Sequence, residues 1–136
     1  MIVIDATDLI VGRVASFAAK QALEGEEVNI VNSEKAVISG KKETTFARFL
    51  RKRDMGIPAK GPFIHRRPDR LFRRMIRGML PYKKSRGREA YRRIMCYIGV
   101  PDEFKDKKMI TVEGANVNKL TTLRYTDLKT ISERLG

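Results

Sequence analysis

The sequence predicts a layered α/β fold, a parallel sheet covered by helices, built as a single domain of 136 residues. Three observations predict it. The apolar runs are too short for helices and lack the polar alternation of half-exposed strands. Helical spacing separates the first two runs, as in a strand-helix-strand unit. The length is that of one domain by the usual range of roughly 100–200 residues.

Ile2-Val3-Ile4 opens the chain as a β-branched strand. Val11, Val14, Ala15, Ala18 and Ala22 then recur at helical spacing and stop at Gly25. Val28-Asn29-Ile30-Val31 and Ala36-Val37-Ile38 are the next two strands, and Met109-Ile110-Thr111-Val112 is a later one. Residues 43–53 form a basic amphipathic helix, with Phe46, Phe49 and Leu50 set against Arg48, Arg51 and Lys52. Pro58 and Pro62 stop any helix, so residues 54–67 are a loop. A helix begins at Pro68, whose ring suits a first helical position. At about 100° per residue, Leu71, Phe72, Met75, Ile76 and Met79 fall within an arc of roughly 140°, and Arg70, Arg73, Arg74 and Arg77 lie opposite. After Pro81 a second basic helix starts near Ser85, and a closing helix over residues 126–135 buries Leu128, Ile131 and Leu135.

Charge is unevenly placed along this frame. The chain carries 29 Lys and Arg against 16 Asp and Glu, a net charge of +13. Residues 1–40 hold three basic and six acidic side chains, and residues 94–136 hold seven and six. Residues 41–93 hold nineteen basic side chains against four acids, so the whole excess lies there. A near-neutral scaffold presenting one basic insert is the pattern of a polyanion-binding protein, and the pI of about 10.2 points to nucleic acid. The expected contact set is Lys41, Lys42, Arg48, Arg51, Lys52 and Arg53 of the first basic helix and Lys60, His65, Arg66 and Arg67 of the loop. Arg70, Arg73, Arg74 and Arg77 follow on the Pro68 helix, then Lys83, Lys84, Arg86, Arg88, Arg92 and Arg93. Arginine dominance from 66 to 77 fits RNA, because a planar guanidinium pairs with phosphate bidentately and stacks on exposed bases.

Catalytic patterns fail on inspection. Ser39-Gly40-Lys41-Lys42 resembles the end of a phosphate-binding loop, but Lys35 stands where its first glycine is required and Lys42 where its Ser or Thr is required. What remains is a strand-to-helix turn suited to one backbone phosphate. Gly12 has no G-x-G-x-x-G around it and is expected to allow close helix–sheet packing. Asp5 and Asp8 are expected to satisfy backbone N–H groups, and Cys96 to be a buried small hydrophobe. With one histidine and one cysteine there is no metal cluster, no disulfide and no nucleophile–base pair. No cofactor is expected. No apolar run of bilayer length and no signal-like N-terminus is seen, so a cytoplasmic location is expected. Two alternatives are a small nucleotide-using or RNA-modifying enzyme on the same frame, and a chromatin-like DNA binder.

Asp5-Ala6, the block from Ile10 through Ser16 (Ile-Val-Gly-Arg-Val-Ala-Ser), and Val31-Asn32-Ser33-Glu34-Lys35-Ala36-Val37-Ile38-Ser39-Gly40-Lys41-Lys42 resemble the opening blocks of the L-thirteen family of universal large-subunit ribosomal proteins. Gly61-Pro62-Phe63 with His65-Arg66, Arg77-Gly78-Met79-Leu80-Pro81-Tyr82-Lys83 and Arg86-Gly87 resemble that family's archaeal and eukaryotic branch. The resemblance implies a three-layer α/β fold with a four-stranded, mainly parallel sheet. It also implies a structural role in the ribosome, binding 23S-type ribosomal RNA during large-subunit assembly beside other large-subunit proteins, with no small-molecule substrate and no membrane.

Overall fold

The computed structural model describes residues 1–122 and 124–136. Strand β1 (Ile2–Asp5) is followed by helix α1 (Val11–Leu23) and strand β2 (Val28–Val31). β1 pairs with β2 in parallel, Ile2 opposite Val28 and Asp5 opposite Val31. The third strand of this sheet is β4 (Ile94–Cys96), a run the sequence reading left unassigned, in parallel register with Val28–Ile30 of β2. Side chains alternate across the sheet. Ile4, Val28, Ile30, Ile94 and Cys96 face the main core with Val14, Ala15 and Ala18 of α1, while Val3 and Val31 face Phe104 on the other side.

Three expectations need correction here. Among the described residues the parallel sheet has three strands, not four. The Met109–Val112 run contributes only Ile110, whose N–H donates to Val3 O at 2.9 Å and whose carbonyl accepts from Asp5 N–H at 3.1 Å. The chain then turns away, Ala115 N–H bonding to Val112 O. Second, β3 (Val37–Ser39) leaves the parallel sheet and pairs antiparallel with β5 (Tyr125–Asp127). The cause lies just before it, where Asn32 adopts the left-handed conformation (φ +56°) and residues Ser33–Lys35 form a 3₁₀ turn that redirects the chain. Third, helices cover one face of that sheet and not both, as strands without polar alternation would imply. The other is closed by Phe104 of a short 3₁₀ turn (Asp102–Phe104) with Tyr97, Val100 and Met109.

The remaining helices are α2 (Lys42–Asp54), α3 (Pro68–Arg77), α4 (Ser85–Arg92) and α5 (Leu128–Leu135). α5 packs on α2 and α3 through Leu128, Ile131 and Leu135, all fully buried, as its spacing predicts. α3 lies against α1 and β4 with Leu71, Phe72 and Ile76 inward. Met79 does not extend that stripe. The chain tightens after Arg77, with Met79 N–H bonding to Ile76 O and Leu80 N–H to Arg77 O. Leu80, four residues on from the buried Ile76, takes the inward place, and Met79 is exposed.

The two aspartates play different parts. Asp5 ends β1 by accepting from Thr7 N–H (3.1 Å), Thr7 Oγ1–H (2.7 Å) and Asn32 Nδ2–H (3.0 Å). Burial pushes its carboxyl up, but these hydrogen bonds and the nearby Lys35 charge outweigh burial and hold it below the usual carboxylate range. Asp8 sits in the left-handed conformation and α1 has no side-chain cap.

Candidate nucleic-acid interface

The basic segment folds into three helices joined by a loop and a turn, and the helical spacing decides where each cation points. On α2, Phe49 is buried, so Arg48, Arg51 and Lys52 are forced outward, while Arg53 pairs with Asp54 at 3.1 Å. Lys41 and Lys42 are exposed where the chain passes from β3 into α2 through Gly40. In the loop Lys60, His65, Arg66 and Arg67 are exposed, Arg67 lying 3.4 Å from Asp69. The loop is tied down by Ile64, packed against the main core, and by Ser132 Oγ of α5, which donates to Arg66 O at 2.6 Å.

The four arginines of α3 divide. Arg70 and Arg74 are exposed. Arg73 turns inward: its Nε donates to Ile94 O at 2.9 Å and its terminal nitrogen to Tyr91 O at 3.1 Å, with the guanidinium 4.0 Å from the centre of the Tyr91 ring. It therefore clamps the end of α4 to β4, which is a packing task and not a free phosphate contact. Arg77 lies over the Tyr82 ring at 4.1 Å. Arg93 is also turned inward, donating to Ala22 O at the end of α1 at 2.9 Å. Lys83, Lys84, Arg86, Arg88 and Arg92 remain exposed on the turn and α4. Among the described residues only Arg53 and Arg67 of this whole set sit in ion pairs, so the outward cations meet solvent unneutralised.

Gly87 sets the position of the Lys83-Lys84 turn. A Cβ built on it would lie 2.0 Å from Pro81 O and 2.2 Å from Pro81 C, so only a glycine lets α4 meet that backbone. Ser85, expected near the start of α4, is its first residue but makes no capping hydrogen bond.

α2, the loop and α3 enclose a groove of about 790 Å³ reaching α1 at Gly12. Arg48, Lys52, His65 and Arg74 line it together with Phe63, Met55 and Met75, and no acidic side chain does. Gly12 is the surprise in this region. It is exposed, with no atom within 4 Å of a built Cβ, so it does not serve close helix–sheet packing as expected. Val11, Val14 and Ala15 do the packing, and Gly12 borders the groove beside Val11.

Two contributors were missed by sequence reasoning. Arg124 reaches Lys41 and Lys42 because its carbonyl accepts Gly40 N–H at 2.8 Å across the β3–β5 ladder; they are far apart in the chain and no local signal shows it. Phe63 was legible, an aromatic among cations, and stands 76% exposed. The chemistry on offer is cationic and apolar. Among the described residues no group of His, Cys, Asp and Glu could hold a metal ion. Cys96 is buried and its thiol is pushed by desolvation up to about 12, so it is no nucleophile. No helix among the described residues is long and apolar enough to cross a membrane.

The family profile described as Ribosomal protein L13 matches residues 1–103. The chain is 49% identical to the large ribosomal subunit protein uL13 of Methanococcoides burtonii over 136 residues, covering 100% of this chain and 98% of that protein. It is 46% identical to uL13 of Archaeoglobus fulgidus over 98% of this chain and 86% of that protein. With uL13 of Haloarcula marismortui it shares 43% identity over 99% of this chain and 90% of that protein.

Proposed function

The chain belongs to the ribosomal protein L13 family, a family of non-enzymatic ribosomal proteins, and from that premise we propose that it is a structural constituent of the large ribosomal subunit. In this reading it binds large-subunit, 23S-type rRNA through residues 41–93, supports subunit assembly beside neighbouring large-subunit proteins, and works on the ribosome in the cytoplasm. The observation that carries the RNA part is the fan of outward, unpaired cations on α2, the loop, α3 and α4, mounted on a near-neutral core.

The mechanism follows from the geometry. Each phosphate met by Lys or Arg releases condensed counterions, which drives association without a sequence requirement. Arg48, Arg51, Arg70, Arg74, Arg86 and Arg88 are exposed on three helices of one fold, so phosphates on converging RNA segments can be met together. Arg73 and Arg93 act one step removed, holding β4 and α4 where their neighbours can reach out. Sedimentation of cell extract on a sucrose gradient tests the assignment. The protein is expected to travel with large subunits at low salt and to leave them at high salt; migration at the top of the gradient under both conditions would overturn it.

A further inference from the structure

The groove between α2, the loop and α3 has properties that plain phosphate neutralisation does not use. We infer that it receives one unpaired nucleobase of the bound RNA, stacked on Phe63, with the adjoining phosphate on Arg48, Lys52 or Arg74. This rests on the RNA-binding reading above and names the part of the RNA that the groove takes.

Four observations carry it. The size, about 790 Å³, lies in the roughly 300–1,000 Å³ range of sites that enclose small organic groups. The lining combines cations with an apolar floor and carries no acid, which is complementary to a flat π-system joined to a phosphate and repels nothing in it. The aromatic is presented outward. Phe63 keeps its ring largely exposed, and the missing side chain of Gly61 (φ +77°) leaves the ring its place, since a built Cβ would lie 2.9 Å from two ring carbons. Finally, the far wall is kept open by Gly12, the one position of α1 whose missing side chain leaves free space facing the groove. A base still paired within a duplex cannot enter such a recess, whereas a splayed base can.

The test uses the full chain on purified large-subunit rRNA, with two variants that act on opposite walls. Phe63→Ala removes the stacking face. Gly12→Leu fills the recess while improving helix propensity, so melting by circular dichroism is expected to show no loss of fold. Hydroxyl-radical cleavage reads backbone contacts, and base-specific chemical modification of all four bases reads the groove. Wild type is expected to protect the backbone and to shield an unpaired base. At saturating protein both variants are expected to keep the backbone footprint and to return that base to its free reactivity, with affinity down about tenfold on the scale of base–aromatic stacking. Phe63→Tyr is expected to behave as wild type. No shielded base with wild type, or shielding that survives either variant, would overturn the inference while leaving the RNA-binding reading standing. No backbone footprint with wild type would overturn both.

Discussion

Arg73 and Arg74 are adjacent on α3, and the structure gives them opposite tasks. Arg73 makes two charge-assisted hydrogen bonds, to Ile94 O and Tyr91 O, and stacks on the Tyr91 ring. Hydrogen bonds to a charged group contribute about 1.5–3 kcal/mol each, and a partly exposed cation–π contact about 0.5–1 kcal/mol. Because one guanidinium makes all three, Arg73→Ala is expected to cost about 3 kcal/mol in total. For a domain of this size that is a fall in Tm of about 12 °C. Arg73→Lys keeps the charge but cannot fork between two carbonyls, so it is expected to recover less than half of the loss. Arg74→Ala removes an exposed side chain with no partner and is expected to stay within about 0.5 kcal/mol of wild type. In a filter-binding assay the order reverses. Arg74→Ala is expected to lower the slope of log affinity against log salt by about one, whereas Arg73→Ala, measured well below its Tm, leaves the slope unchanged. Equal melting temperatures for the two variants would refute the division of labour on this helix.

Gly87→Ala is expected to lower stability by about 3 kcal/mol in thermal melts, because its Cβ would overlap the Pro81 backbone, while Gly12→Ala, facing open space, is expected to be neutral or slightly stabilising. Cys96 is expected to resist a maleimide in the native protein at pH 8 and to react fully in denaturant. Its thiol, at about 12 in the fold against 9.0 ordinarily, ionises first in the unfolded chain, so its contribution to stability falls as pH rises from about 9 to about 12. Asp5 works in the other direction. Its folded carboxyl lies below the ordinary 3.8, so its contribution is present above that value and lost as pH falls through the folded one; Asp5→Asn is expected to flatten the acid limb of a stability–pH curve.

Much of this molecule was legible in its residues because local rules decide it. Pro68 begins α3, Phe49 turns the cations of α2 outward, and Leu128, Ile131 and Leu135 seat α5. The misses share one cause, which is that partner choice is a long-range matter. The apolar run containing Ile38 reads as a strand of the parallel sheet, but the left-handed Asn32 lifts β3 out to meet β5. The run around Ile110 has strand composition, yet only one residue lies against β1. In the interface, charge alone made Arg73 and Arg93 look like Arg74 and Arg92. Only the positions of the Ile94, Tyr91 and Ala22 carbonyls turn the first two inward. Gly12 misled for the same reason, since a missing side chain reads as close packing until the space beside it is seen to be open.

The salt dependence of binding to a large-subunit rRNA fragment tests most directly whether the outward cations of residues 41–93 are the RNA contact. If about six of them meet phosphates together, affinity is expected to fall on the order of 10³-fold between 50 and 200 mM salt. A nearly flat response over that range would contradict the account.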